Sequence, residues 1–176
     1  MAIPTPAYEI NLRAALRQLK RKLNIMNTLK RILLVEDSEK DVELTLMALE
    51  EYNLANEVVV AQDGTEALDY LYRRGKFADR AEGLPAVVLL DLKMPKMDGL
   101  EVLRQMKDDA GLKHIPVVMV TSSREEQDLV KSYQLGVNAY VVKPVDFAQF
   151  VRSVKELGFF WALLNEPPPG CLSKAA

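Results

Sequence analysis

Hydrophobic positions in this chain follow two patterns that alternate. From Arg31 onward, short runs rich in Val, Ile and Leu recur at Arg31 to Glu36, Asn56 to Ala61, Ala86 to Asp91, Ile115 to Thr121 and Ala139 to Lys143. A short apolar run of this kind reads as a strand covered on both faces. Between the runs, apolar residues recur at spacings of three and four, as at Val42, Leu46 and Leu49 and, in a last helix, at Phe150, Val154, Leu157, Trp161 and Leu164. That period buries one face of a helix. The alternation predicts five βα units and hence an α/β domain, a doubly wound five-stranded parallel sheet with right-handed crossovers and helices on both faces. The polar segment from Tyr72 to Pro85 is long for a connection and predicts an extended helix end followed by a surface loop. The domain is expected over 30–166, with Pro167-Pro168-Pro169 opening a flexible tail that runs to 176.

Residues 1–29 differ in kind. Leu12, Leu16, Leu19, Leu23 and Met26 form a short heptad-like seam, with Arg13, Arg17, Lys20, Arg21 and Lys22 on the other faces. One amphipathic helix is expected there. Five basic residues against Glu9 give it +4, which leaves about −6 for the remainder of a chain of net charge −2. Two readings stand open: a dimerisation arm that pairs two copies through Leu12, Leu16, Leu19 and Leu23, or a helix folded on its own domain or lying upstream of a second start at Met26. Contact of the basic face with a membrane surface or nucleic acid is the weaker option.

Bulk properties narrow the class. A chain of 176 residues, 49% hydrophobic, suits one domain with a sizeable core. Its charge gives no general reason to expect DNA binding, and the single cysteine, Cys171, excludes an internal disulfide framework. No apolar run approaches the roughly 20 residues needed to span a bilayer, and the N-terminus lacks a secretory h-region. The expectation is a cytoplasmic protein without membrane contact.

The chemistry lies where the runs end. Glu36-Asp37 close the first, Asp91 the third, Thr121 the fourth and Lys143 the fifth. In a parallel sheet these ends share one edge, so three carboxylates, a hydroxyl and an ammonium converge. Three ionised carboxylates repel one another, and either protonation or a bound cation relieves that repulsion. Hard oxygen donors that leave positions for water and phosphate suit Mg²⁺. Asp91 is then a nucleophile toward a phosphoryl group, with Lys143 offsetting developing charge and Thr121 donating a hydrogen bond. Taken singly, each residue has a plainer role. Asp37 or Ser38 caps the following helix, with Asp41 at a capping-box-like position; Thr121 is a β-branched strand residue; Lys143 before Pro144 is a solvated lysine entering a turn. Their complementarity at one edge favours a site. The sole histidine, His114, reads as a solvated loop residue.

From Arg31 to about Leu164 the chain closely resembles the response-regulator receiver domains of two-component signalling, through Glu36-Asp37, the run LLDLKMPKMDG around Asp91, Thr121-Ser122 and Val142-Lys143-Pro144. The resemblance implies the flavodoxin-like receiver fold and a sensor histidine kinase as partner that phosphorylates Asp91. It also implies Mg²⁺ held by Glu36, Asp37, Asp91 and the backbone carbonyl of Lys93, phosphoryl contacts from Thr121 and Lys143, and Tyr140 as the switch aromatic that moves with Thr121. As a strand residue, Tyr140 would simply cover the sheet edge. Many receivers carry two aspartates where this chain has Glu36-Asp37, which lengthens one arm of the metal site without removing charge. The long loop after Tyr72, the segment from Ser132 to Asn138 and Phe159-Phe160-Trp161 further resemble single-domain regulators paired with phytochrome-type kinases. Two competing functions remain: a metal-dependent phosphatase, disfavoured because Lys93 stands where haloacid-dehalogenase-type enzymes need a second aspartate, and a phosphate-independent scaffold.

Overall fold

A computed structural model describes residues 31–50, 58–80, 83–144 and 146–166. The N-terminal seam of Leu12, Leu16, Leu19 and Leu23, the proline-rich tail and Cys171 lie outside the described residues. Strands β1 (Ile32–Val35), β2 (Val58–Ala61), β3 (Val87–Leu90), β4 (Val117–Thr121) and β5 (Ala139–Val142) alternate with helices α1 (Glu39–Glu50), α2 (Gly64–Tyr72), α3 (Gly99–Asp108), α4 (Glu126–Gln134) and α5 (Phe147–Gly158). The strands form one parallel sheet in the order β2-β1-β3-β4-β5. The expected doubly wound α/β architecture is what folds.

Alternate residues of each strand feed two cores. Leu33, Val35, Val88, Leu90, Val117 and Met119 pack with α2 and α3 through Leu68, Leu71, Val102, Leu103 and Met106. Ile32, Leu34, Val87, Leu89, Val118 and Val120 pack on the other face with Ala48 and Leu49 of α1 and Phe150 and Val154 of α5. The period-two geometry of a strand thus turns an unbroken apolar run into two half-cores. Burial of each Leu or Ile side chain contributes roughly 2 kcal/mol.

Helix starts are fixed by side-chain caps at the edge where the strands end. Asp63 accepts from the Glu66 N–H at 2.8 Å, Asp98 from Glu101 at 2.9 Å and Asp146 from Gln149 at 2.9 Å. These bonds satisfy N–H groups that the helix itself leaves open. α1 is capped more loosely, by Ser38 Oγ accepting from the Asp41 N–H at 3.3 Å.

The expected extended helix end after Tyr72 does not form. α2 stops at Tyr72 because Arg73 turns left-handed, φ 56°, and its N–H closes the last turn on Tyr70 and Asp69 carbonyls. A 3₁₀ turn over Gly75–Phe77 follows, held by Phe77 packing edge-on against Tyr70, ring centroids 5.2 Å apart. The last helical pattern continues past α5 as a wider turn over Phe159–Leu164, with the Asn165 N–H bonded five residues back to Phe160 at 2.7 Å. Leu157 and Trp161 lean on the core, whereas Leu164 is exposed. Across the described residues no helix is long and apolar enough to cross a membrane.

Candidate functional site

Register brings the site together. Val35 stands opposite Leu90 in the ladder, so the next residues, Glu36 and Asp91, leave neighbouring strands side by side. The ladder extends one step beyond the strands: Asp91 N–H bonds Val35 O at 2.9 Å, Glu36 N–H bonds Ala61 O at 3.0 Å and Lys143 N–H bonds Thr121 O at 2.7 Å. The backbones bearing three site residues are therefore fixed before their side chains are considered. Gly99, opening α3, packs directly on this point. A Cβ there would stand 2.3 Å from the Asp91 carbonyl oxygen, so only glycine lets the helix approach.

Glu36, Asp37 and Asp91 place carboxylate oxygens within 4.8 Å of one another. Asp37 is exposed, Glu36 and Asp91 are buried. Lys143 reaches in from the end of β5: its Nζ donates to Glu36 Oε2 at 2.7 Å and to Asp41 Oδ2 at 2.8 Å, and stands 3.8 Å from Asp91 Oδ1. That Asp91 oxygen is buried without a hydrogen-bond partner. A carboxylate oxygen left so is costly unless a cation or a covalent partner completes it.

Titration follows the crowding. Burial pushes Glu36 up to about 7, against the pull of Lys143 and with Asp91 and Asp41 adding to the rise. Burial likewise raises Asp91, opposed by Lys143, the Leu92 N–H and the Thr121 hydroxyl. Burial works against charge on Lys143, but Asp41 and Glu36 outweigh it and hold the ammonium more firmly protonated than usual. The crowded pocket thus makes Glu36 and Asp91 hold protons more readily than free carboxyls while it keeps Lys143 charged.

Thr121 is wholly buried beside Asp91, and its Oγ1 accepts from the Ser123 N–H at 3.2 Å. Tyr140 is half-buried on β5 and donates its hydroxyl to the Ser123 carbonyl at 3.2 Å. Lys93 extends outward and pairs with Asp128 of α4 at 3.1 Å. His114 is exposed on the approach to β4.

Two residues escaped the sequence reading. Asp41 looks like a member of a capping box, yet its carboxylate serves Lys143 while Ser38 does the capping. Asp128 looks like one more acid in a helix first turn, yet it is buried and bound by Ser123 and Lys93. Their signal is topological: α1 starts three residues after Glu36, and α4 five after Thr121, so first-turn side chains overlook the same edge.

Comparison with known proteins agrees with this geometry. Residues 32–155 match the response regulator receiver domain family. Response regulator Rcp1 of Synechocystis sp. is 38% identical over 135 residues, 77% of this chain and 90% of that protein; its Mn²⁺-bound crystal form superposes with a TM-score of 0.74, covering 79% of this chain and 99% of that one. The phosphorylated cyanobacterial phytochrome response regulator RcpA is 41% identical, covering 80% and 99%, with a TM-score of 0.74. The bacteriophytochrome response regulator AtBRR is 68% identical over 78% of this chain and 99% of that one, TM-score 0.63. Receiver domains take Mg²⁺ or Mn²⁺ through acidic residues, and the clustered carboxylates with an orphaned Asp91 oxygen are a donor set that fits such an ion. The chain belongs to the response regulator receiver domain family.

Proposed function

We propose that this protein is a stand-alone response regulator whose Asp91 accepts a phosphoryl group from a phytochrome-type sensor histidine kinase. The observation that carries the reading is the buried, unpartnered Asp91 Oδ1, set 3.8 Å from the Lys143 ammonium. In the transfer, an Asp91 carboxylate oxygen forms a bond to phosphorus as the bond between phosphorus and the kinase histidine nitrogen breaks, the nitrogen keeping the electron pair. Lys143 stands ready to leave Glu36 and Asp41 for the arriving phosphoryl oxygens, and the Thr121 hydroxyl donates to one of them. Glu36, Asp37, Asp91 and the Lys93 carbonyl are the groups that would hold Mg²⁺, whose chemistry there is charge neutralisation between carboxylate and phosphoryl oxygens. Thr121 is tied to Ser123 and Ser123 to Tyr140, so movement of Thr121 toward the phosphoryl group is passed to Tyr140 and to the face formed by α4, β5 and α5. Exposed Leu129, Val130 and Tyr133 on α4 offer that face to a second copy or a target protein rather than to DNA.

Acetyl phosphate with Mg²⁺ tests this directly. One phosphoryl group is expected on the wild-type protein by intact mass, none on Asp91→Asn, and slow loss afterwards by self-hydrolysis. Continuous turnover of many phosphomonoesters would overturn the reading in favour of a phosphatase. Failure to be labelled even by a phytochrome-type kinase would leave a scaffold. Removing residues 1–25 and measuring mass by light scattering decides whether the N-terminal seam pairs two copies: an unchanged oligomeric state removes the arm.

A further inference from the structure

Asp128 takes no part in the chemistry above, yet its carboxylate gathers the side chains that border it. It sits in the first turn of α4 and is 6% exposed. Its Oδ2 accepts from the Ser123 hydroxyl at 2.7 Å and pairs with Lys93 Nζ at 3.1 Å. Lys93 follows the phosphoacceptor by two residues, and Ser123 follows Thr121 by two. One helix carboxylate therefore ties the loop after β3 to the loop after β4, at the Ser123 that also holds Thr121 and Tyr140.

The two ends of the ion pair differ. Asp128 is enclosed and keeps the Ser123 hydroxyl as a second partner, whereas the Lys93 side chain is 56% exposed on a flexible four-carbon stem. An exposed ammonium exchanges one anion for another at small net change, and a doubly charged phosphoryl group is the stronger anion. Lys93 stands two residues beyond Asp91, and Asp128 is bonded to the same Ser123 that Tyr140 meets, which places the pair at the strand-end edge.

We infer that Asp128 is a positioning residue for the phosphoryl pocket, one that withholds the Lys93 ammonium from the anion at Asp91 and links its release to α4. The inference rests on the reading of Asp91 as acceptor. When an anion arrives, Lys93 leaves Asp128, the tie between the β3 loop and α4 opens, and a buried carboxylate loses its countercharge at the helix start. Capture of the anion and loosening of α4 are then one event.

Beryllofluoride, formed from beryllium chloride and fluoride, is a noncovalent stand-in for the phosphoryl group and can be titrated by ¹⁹F NMR at saturating Mg²⁺. Asp128→Asn keeps the shape and removes the competitor, so it is expected to bind beryllofluoride about fivefold tighter than wild type. In a Lys93→Met background the same substitution is expected to change affinity less than twofold, because no ammonium remains to be freed. Asp128→Glu is expected to return toward wild type. A merely structural Asp128 would shift affinity equally in both backgrounds, or weaken it, and either result overturns the inference. In the wild-type protein itself the Lys93 Cε and Nζ resonances are expected to move on beryllofluoride addition; resonances that stay in place overturn the inference whatever the variants do. Failure of the acceptor reading looks different: no binding to wild type, or equal binding to Asp91→Asn.

Discussion

At the edge of the sheet where strands begin, Arg80 and Lys107 donate to backbone carbonyls. Arg80 Nε donates to the Tyr70 carbonyl at 2.8 Å and another of its N–H groups to Gly83 at 2.7 Å, with the guanidinium 4.3 Å over the Tyr70 ring. Lys107 Nζ donates to the carbonyls of Lys113 and Ile115, both at 3.1 Å. At the edge where strands end, Glu36, Asp41 and Asp91 crowd about one ammonium, Asp37 adds a further carboxylate to Glu36 and Asp91, and a buried Asp91 oxygen is left without a hydrogen bond. The first edge uses its charges to finish the fold. The second keeps a deficit of positive charge that the fold alone does not cancel and that a bound cation can.

The sharpest way to break this contrast is through glycine. Gly99→Ala is expected to cost about 3 kcal/mol in urea denaturation, since its Cβ meets the Asp91 carbonyl at 2.3 Å, whereas Gly111→Ala at the other edge, whose Cβ meets only an Asp109 side-chain oxygen at 3.2 Å, should cost less than about 1. Equal costs would show that the two edges are equally tight.

Charge removal should have opposite signs at the two edges. Lys107→Met leaves carbonyls unanswered and is expected to destabilise by about 2 kcal/mol. Asp91→Asn in metal-free protein removes an uncompensated buried charge and is expected to stabilise by about 1 kcal/mol, while abolishing the gain in melting temperature that Mg²⁺ gives the wild type. The same sign at both edges would end the comparison.

The pH dependence of the second edge comes from Glu36, raised from the ordinary 4.5 to about 7. Between those values the folded chain holds a proton that the unfolded chain has lost, so the Glu36 contribution to metal-free stability falls as pH rises through this window. Mg²⁺ needs the carboxylate, so its affinity is expected to increase over the same window by up to about tenfold per pH unit, with proton release in calorimetry. Glu36→Gln should flatten that slope. Smallest of all, Asp41→Asn is expected to cost about 0.5 kcal/mol, because its side chain is 30% exposed and Glu36 still holds Lys143.

The sheet was legible because strands buried on both faces advertise themselves as runs, and each run ended within two residues of its predicted limits wherever the structure describes it. The residues at those ends were legible for the same reason: a charge immediately after a core strand has few places to go. The end of α2 was not, since Arg73 adopts its left-handed turn without the glycine that usually announces one. Asp41 and Asp128 were hidden by chemistry shared with any solvent-facing acid in a helix first turn. Their roles depend on which strand each helix start overlooks, and that is set by the order β2-β1-β3-β4-β5 rather than by local spacing.

That strand order also decides when the site can exist during folding. Lys143 and Glu36 meet across 107 residues of chain, and Asp91 lies between them in sequence as well as in space. Closing so long a loop yields nothing until the intervening strands are in register. Fragments or partly folded chains that lack β5 docked on β4 have the carboxylates without their ammonium. Mg²⁺ uptake during refolding would report the moment β1 seats beside β3, and formation of the Lys143–Glu36 pair the docking of β5, so that ion and ammonium time two stages of one sheet.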